Sequence, residues 1–302
     1  MIISFHYNIG NQGIFHNSIM FVKKALFAVP NSKSLPIGLV ARFSSATGDI
    51  GVTVNDKTGV ATVKLQRAPV NSLNTGFLKN IESTLDSLEK EKARGLILTS
   101  GLPKIFTAGL DILELYNCTT ESLTTFWTQL QSTWLKLHAT SFPSVALING
   151  HAPGAGCQLA MSCEYRIMLG PKYTIGLNET KMGIIAPFWF VDTMIDTLGP
   201  RQAELALTSG KLFTSSEALK VGLIDEEVGS EEEGVAKAEA FLSQYATIPG
   251  TARKLTKLMI REKTISNLVK NKDKDLKNVI DLITSAQVQK GLGLYLQSLK
   301  KK

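Results

Sequence analysis

Residues 144–163 read Ser144-Val145-Ala146-Leu147-Ile148-Asn149-Gly150-His151-Ala152-Pro153-Gly154-Ala155-Gly156-Cys157-Gln158-Leu159-Ala160-Met161-Ser162-Cys163. Val145 to Ile148 is a short apolar run that predicts a buried strand, the run Asn149–Cys157 of small and turn-forming residues redirects the chain, and a helix is expected near 156–163. A turn that opens a helix offers N–H groups without intrahelical partners at the positive end of the helix dipole, so a developing negative charge is a fitting ligand there. Gly154-x-Gly156 is not a dinucleotide fingerprint, because Leu159 stands where the third glycine of GxGxxG belongs. His151 reads as a structural loop residue rather than a base.

Outward from this unit the alternation of strand and helix repeats. Toward the N-terminus, the spacing predicts strands over 50–54 and 60–65 joined by the turn Asn55-Asp56-Lys57-Thr58-Gly59. An amphipathic helix follows over 75–91, with Asn74 as its N-cap and Phe77, Leu78, Ile81, Leu85 and Leu88 on one face. A buried strand over Gly95–Thr99 precedes a helix over 120–138. The apolar face of that helix (Leu123, Phe126, Trp127, Leu130, Trp134, Leu137) reads as core rather than as a cofactor box. Toward the C-terminus come a strand over Tyr165–Leu169 and helices near 189–198, 200–209 and 215–221, an order that argues for an α/β architecture. Beyond about residue 235 the strand signal disappears, and helices are expected over 235–245, 249–262, 273–283 and 285–300. Such a helical tail packs either on its own core or on another subunit.

Composition excludes several function classes. The chain has 302 residues, 44% of them hydrophobic, enough for a sizeable core without staples. Its three cysteines, Cys118, Cys157 and Cys163, form no CxxC pair and have no histidine at zinc-ligand spacing, so free thiols in a reducing compartment are expected. The formal charge of +7 resides at the ends: residues 1–48 carry Lys23, Lys24, Lys33 and Arg42 and no acid, and the chain closes on Lys300-Lys301-Lys302. The rest is near neutral, which argues against nucleic-acid binding. The acid-free stretch from Met20 to Arg42-Phe43-Ser44-Ser45 is similar to a mitochondrial transit peptide, with a disordered tail as the alternative, so residues 1–45 are set aside from the fold. No run of 18 apolar residues is present, and no membrane span is expected.

Two further segments could carry chemistry. Phe106-Thr107-Ala108-Gly109-Leu110-Asp111 follows a buried strand and a turn, and its small residues admit a ligand close to backbone N–H groups. Taken alone, an ordinary strand-to-helix turn is the better reading of it. Ile175-Gly176-Leu177-Asn178-Glu179-Thr180 places a carboxylate in an apolar stretch that continues through Met182, Ile184, Ile185, Ala186, Pro187 and Phe188. Apolar surroundings raise a carboxyl pKa and suit it to general-base work. On its residues alone, a solvated or capping Glu179 is the better reading.

Together and in this order, the three segments resemble the crotonase (enoyl-CoA hydratase/isomerase) superfamily, from about residue 50 to the C-terminus. Arg67-Ala68-Pro69-Val70-Asn71-Ser72-Leu73 and Glu217-Ala218-Leu219-Lys220-Val221-Gly222-Leu223-Ile224-Asp225 resemble its early and late signatures, and the run Ile175–Trp189 resembles its isomerase members. The resemblance implies an α/β fold: a crotonase-like spiral of ββα units over 46–245, then an α-helical C-terminal region, 246–302, that commonly builds homotrimers. It implies a fatty enoyl-CoA substrate, with neither cofactor nor metal. By motif position, the backbone N–H groups of Leu110 and Ala155 would grip the thioester oxygen. Ala108, Gly109, Leu110, Asp111, Ile112 and Ala155 would line the substrate, and Glu179 would carry the proton. Hydratases of the superfamily use a second glutamate in the helix after the glycine loop, where this chain has Gln158. The resemblance therefore implies isomerisation of 3-cis- or 3-trans-enoyl-CoA to trans-2-enoyl-CoA, in β-oxidation of unsaturated fatty acids in the mitochondrial matrix. The alternatives are a hydratase, a dienoyl-CoA isomerase, a thioester hydrolase, or an acyl-CoA or RNA binder without turnover.

Overall fold

The computed structural model describes residues 48–300; the transit-peptide reading of 1–45 lies outside them. The chain opens with the expected hairpin, β1 (Ile50–Val54) against β2 (Val60–Leu65), antiparallel. Asn55 Oδ1 accepts the Lys57 N–H at 3.0 Å inside its turn. Helix α1 (Thr75–Lys90) starts where Asn74 Oδ1 accepts the Phe77 N–H at 2.8 Å, and it buries the five apolar residues read from the sequence.

Three windings of two strands and a helix follow: β3 (Gly95–Ser100), β4 (Lys104–Ile105) and α2 (Thr120–His138); β5 (Ser144–Ile148), β6 (Gly150–Pro153) and α3 (Ala155–Ser162); β7 (Tyr165–Leu169), β8 (Thr174–Gly176) and α4 (Phe188–Leu198). The first strand of each winding joins one sheet and the second joins another, which is the ββα spiral that the resemblance implied. After α5 (Pro200–Ser209), β9 (Phe213–Thr214), α6 (Ser215–Val221) and β10 (Glu226–Val228) complete the two mixed sheets. Their orders are β1-β2-β3-β5-β7-β10 and β4-β6-β8-β9. β3 and β5 are buried at every residue, as parallel strands covered on both faces must be, which is why they read as unbroken apolar runs.

The strands of the second sheet were not legible, because two to four residues are too few to show alternation. One of them, β6, lies within the run read as loop. There Gly150 permits the pairing with β4: a Cβ on it would stand 2.2 Å from the Ile105 nitrogen.

The helical tail comprises α7 (Glu231–Ser243), α8 (Gly250–Ile283) and α9 (Ala286–Lys300). α7 begins four residues before the expected 235, because Ser230 caps it by accepting the Glu233 N–H at 3.2 Å, and three glutamates of its first turn face the helix dipole. The expected pair of helices over 249–262 and 273–283 is one helix of 34 residues. Its buried stripe runs Lys257, Thr264, Ile265, Leu268, Asp275, Val279 and Ile283, so polar residues occupy core positions and interrupt the apolar period.

Those polar residues are bonded rather than stranded. Lys257 Nζ donates to Thr140 O and Oγ1 at 3.0 and 2.9 Å. Asp275 Oδ2 accepts from Trp127 Nε1 (2.7 Å), Gln131 Nε2 (2.8 Å) and Trp189 Nε1 (3.2 Å). α8 is thereby tied to α2 and α4 around a buried aromatic cluster in which Trp134 and Trp189 centroids lie 5.0 Å apart. The aromatic stripe of α2 is core, as read. Among the described residues no helix is long and apolar enough to cross a membrane.

Candidate active site

The path of the Phe106–Asp111 segment is set by two buried side chains whose roles the sequence did not disclose. Asn71 holds φ +53°, in the left-handed region that asparagine tolerates better than most residues. Its Oδ1 accepts the Arg67 N–H at 2.8 Å, and its Nδ2 donates to Ser100 Oγ and Phe106 O, both at 2.9 Å. Thr107 Oγ1 donates to Asn71 O at 2.7 Å and accepts the Gly109 N–H at 3.1 Å. An asparagine, a turn-forming type that tolerates left-handed backbone, two residues after Pro69 was the available signal.

Beyond Thr107 the chain pairs with Leu73 through alternate groups: Leu73 N–H donates to Gly109 O at 2.8 Å and Asp111 N–H donates to Leu73 O at 3.1 Å. The N–H of the residue between them, Leu110, is left without an acceptor among the described residues. So is the N–H of Ala155, the first residue of α3. Ala155 has helical backbone, which accommodates its methyl group.

Glycines bring the two free donors to one place. Gly109 has φ +86°, and a Cβ on it would lie 3.0 Å from Pro153 O and 3.3 Å from the Ala155 nitrogen, so the two segments touch there. Gly154, at φ +54° and ψ −124°, reverses the chain immediately before Ala155.

Glu179 begins a short 3-10 turn, Glu179–Met182, just after β8. It is 8% exposed, and a Cβ on Gly154 would stand 3.6 Å from its Oε1, so the carboxylate lies against the start of α3. Oε2 has no partner, and burial pushes the Glu179 pKa up to about 7. The apolar stretch that follows encloses it only in part: Ile184 is buried, whereas Ile185 is 69% exposed.

The remaining sequence candidates sit around this centre. Ala108 is exposed, while Leu110, Asp111 and Ile112 are half-buried. Asp111 has structural bonds of its own: it caps the 3-10 turn Ile112–Glu114 by accepting the Leu113 N–H at 3.1 Å, and it pairs with Arg67 at 3.4 Å. His151 Nδ1 accepts the Thr174 backbone N–H at 3.1 Å, which makes it a structural residue of β6. Gln158 is fully buried in α3 and donates to Thr193 Oγ1 at 3.0 Å. The three cysteines are free. A small void of about 10 Å³, enough for about one water, lies among Ala155, Gln158, Leu130, Trp134, Trp189 and Phe190. Two converging N–H groups beside a buried carboxylate with a pKa near neutrality can bind a carbonyl oxygen, hold it as an oxyanion and exchange a proton with the carbon next to it.

Residues 55–302 match the model of the enoyl-CoA hydratase/isomerase family. The chain is similar to enoyl-CoA delta isomerase 1, mitochondrial, of Mus musculus, at 44% identity over 253 residues covering 83% of this chain and 87% of the relative. The Homo sapiens protein of the same name is 44% identical over 244 residues, 80% of each chain. A crystal structure of the human mitochondrial delta3-delta2-enoyl-CoA isomerase superposes with a TM-score of 0.81 at 42% identity, covering 84% of this chain and 98% of that one. An enoyl-CoA hydratase from Bacillus halodurans shares the fold, with a TM-score of 0.74 at 23% identity.

Proposed function

The chain belongs to the enoyl-CoA hydratase/isomerase (crotonase) family, and on that footing we propose that it converts 3-cis- or 3-trans-enoyl-CoA to trans-2-enoyl-CoA. The observation that carries the reading is a single buried carboxylate, Glu179, held near neutral pKa beside two free backbone donors, while α3 offers an amide, Gln158, one turn after Ala155.

In the reaction, Glu179 takes a proton from C2, and the electron pair of that C–H bond moves onto the thioester as a dienolate. The N–H groups of Leu110 and Ala155 meet the oxygen charge. Glu179 then returns the proton to C4, and the C2=C3 bond forms in conjugation with the thioester. One carboxylate suffices, since the same proton leaves and returns. A pKa of about 7 suits both steps, because a stronger acid would be a poor base at C2 and a weaker one would hold the proton back from C4. Donors already in place need not reorganise as charge develops, and losing one such donor typically costs about 3–4 kcal/mol, roughly 10²- to 10³-fold in rate.

Turnover of both 3-enoyl isomers by the protein beginning near Ser45, beside Glu179→Gln, tests this. Isomerisation by the wild type and a loss of about 10²- to 10⁴-fold in the variant are expected. Hydration of 2-enoyl-CoA as the main activity, or full activity in Glu179→Gln, would overturn it. We further place the protein in the mitochondrial matrix as a homotrimer. The mitochondrial relatives and the acid-free N-terminal stretch support the location. Met259 and Ile260, 75% and 78% exposed on α8, support a subunit contact, which light scattering on the mature chain tests.

A further inference from the structure

From Ala108 to Asp111 every backbone N–H except that of Leu110 has an acceptor: Ala108 donates to Val70 O at 3.0 Å, Gly109 to Thr107 Oγ1 at 3.1 Å and Asp111 to Leu73 O at 3.1 Å. The bond at Gly109, next to the free donor, is the one made to a side chain. Thr107 Oγ1 accepts there because its single proton goes to Asn71 O at 2.7 Å, and one atom that both donates and accepts calls for a hydroxyl. Asn71 is in turn tied to the ends of β2 and β3, through Leu65 O at 3.2 Å and Ser100 Oγ at 2.9 Å. The direction of the Leu110 N–H is therefore referred to the first sheet through one hydroxyl.

The same residue meets the other donor segment. A Cβ on Gly156 would stand 2.8 Å from Thr107 O and 3.1 Å from Thr107 Cγ2, so Thr107 lies against α3 one residue past Ala155. Its side chain is fully buried, behind the two donors rather than beside a ligand.

We infer that Thr107 is a positioning residue for the proposed oxyanion site. Its hydroxyl sets where the Leu110 N–H points, and its main chain, seated on Gly156, sets how far that donor lies from the Ala155 N–H. The inference rests on the reading of Leu110 and Ala155 as the thioester grip. Valine has nearly the shape of threonine and removes the hydroxyl, whereas serine keeps the hydroxyl and the main-chain seat.

The infrared carbonyl stretch of hexanoyl-CoA, labelled at the thioester carbon and bound to the full-length protein, reads the donors without any double bond to move. Two aimed donors polarise the carbonyl and lower its frequency below that of the free thioester. In Thr107→Val the frequency should move back toward the free value. For 3-hexenoyl-CoA the valine variant should lose about 10- to 10²-fold in kcat while KM stays within about threefold, because a misaimed donor costs most where charge develops. Thr107→Ser should restore both readings, and Thr107→Ala serves if urea unfolding shows that the valine variant does not fold. A wild-type frequency and kcat in Thr107→Val would overturn the inference, and so would a serine variant as impaired as the valine one. An unshifted carbonyl in the wild type would instead remove the thioester grip, and the positioning role with it. A shifted carbonyl without turnover of 3-hexenoyl-CoA would remove the isomerase reading alone, and the valine and serine spectra would still decide the role of Thr107.

Discussion

Glu179→Gln should make the protein more stable, by an amount that depends on pH. The carboxyl is 8% exposed, and burial raises its pKa from 4.5 to about 7 in the folded state. Below pH 4.5 the group is protonated whether folded or unfolded, and burial costs no ionic solvation. Between pH 4.5 and 7 the unfolded chain releases this proton while the folded chain retains it, so the stability associated with Glu179 falls as pH rises through that window. Above pH 7 the folded protein carries an unpaired buried anion, and a shift from 4.5 to about 7 amounts to roughly 3 kcal/mol. At pH 5.5 the same linkage gives about 1 kcal/mol. A glutamine of the same shape never ionises. Urea unfolding of wild type and Glu179→Gln at both pH values reads the effect. The variant should gain about 2 kcal/mol more, relative to wild type, at pH 8 than at pH 5.5. Comparing the two pH values cancels any pH-independent effect of the amide. An identical offset at both, or none, would show that Glu179 is already charged and solvated in the folded state, and the argument for a tuned base would fail with it.

The same pKa sets the rate profile: kcat/KM for 3-enoyl-CoA should rise tenfold per pH unit below about 7 and level off above it, as a base that must be deprotonated requires. Gly109→Ala should cut kcat/KM about 10²-fold or more, because a left-handed backbone at φ +86° and a contact 3.3 Å from the Ala155 nitrogen must both give way; steady-state assays check this, and a loss under threefold would contradict the donor geometry. Asp275→Leu leaves the donors of Trp127, Gln131 and Trp189 without their buried acceptor and should cost about 3–5 kcal/mol in urea unfolding, with Asp275→Asn costing less. Gln158→Glu places a second carboxylate in α3 and should raise hydration of 2-enoyl-CoA at least tenfold, measured by loss of the conjugated thioester.

The sequence disclosed most of this wherever burial follows a simple period. The five-residue face of α1, its Asn74 cap and the buried runs of β3 and β5 could all be read directly. It failed where polar side chains occupy the interior. Lys257, Thr264 and Asp275 take core positions on α8, so a single long helix read as two. At the site, Glu179 and the two donor segments were nameable through resemblance, but their convergence depends on Gly109 meeting Pro153 and Ala155, a contact between residues more than forty positions apart. The roles of Asn71 and Thr107 were not legible for the same reason: beside their local bonds, Asn71 reaches Ser100 and Phe106, and Thr107 reaches Asn71, across the fold.

Both groups proposed as oxyanion donors are main-chain groups, at Leu110 and Ala155, and every amino acid except proline carries such a group. Drift at either position can therefore reshape the rim without erasing the capacity to hold an enolate, so long as Gly109 and Gly154 keep the path. In the proposed mechanism the choice of bond to be made rests instead on individual side chains, Glu179 and Gln158, each replaceable in one step. A lineage built on this scaffold can exchange one reaction for another while every ancestor along the way remains able to stabilise the shared intermediate.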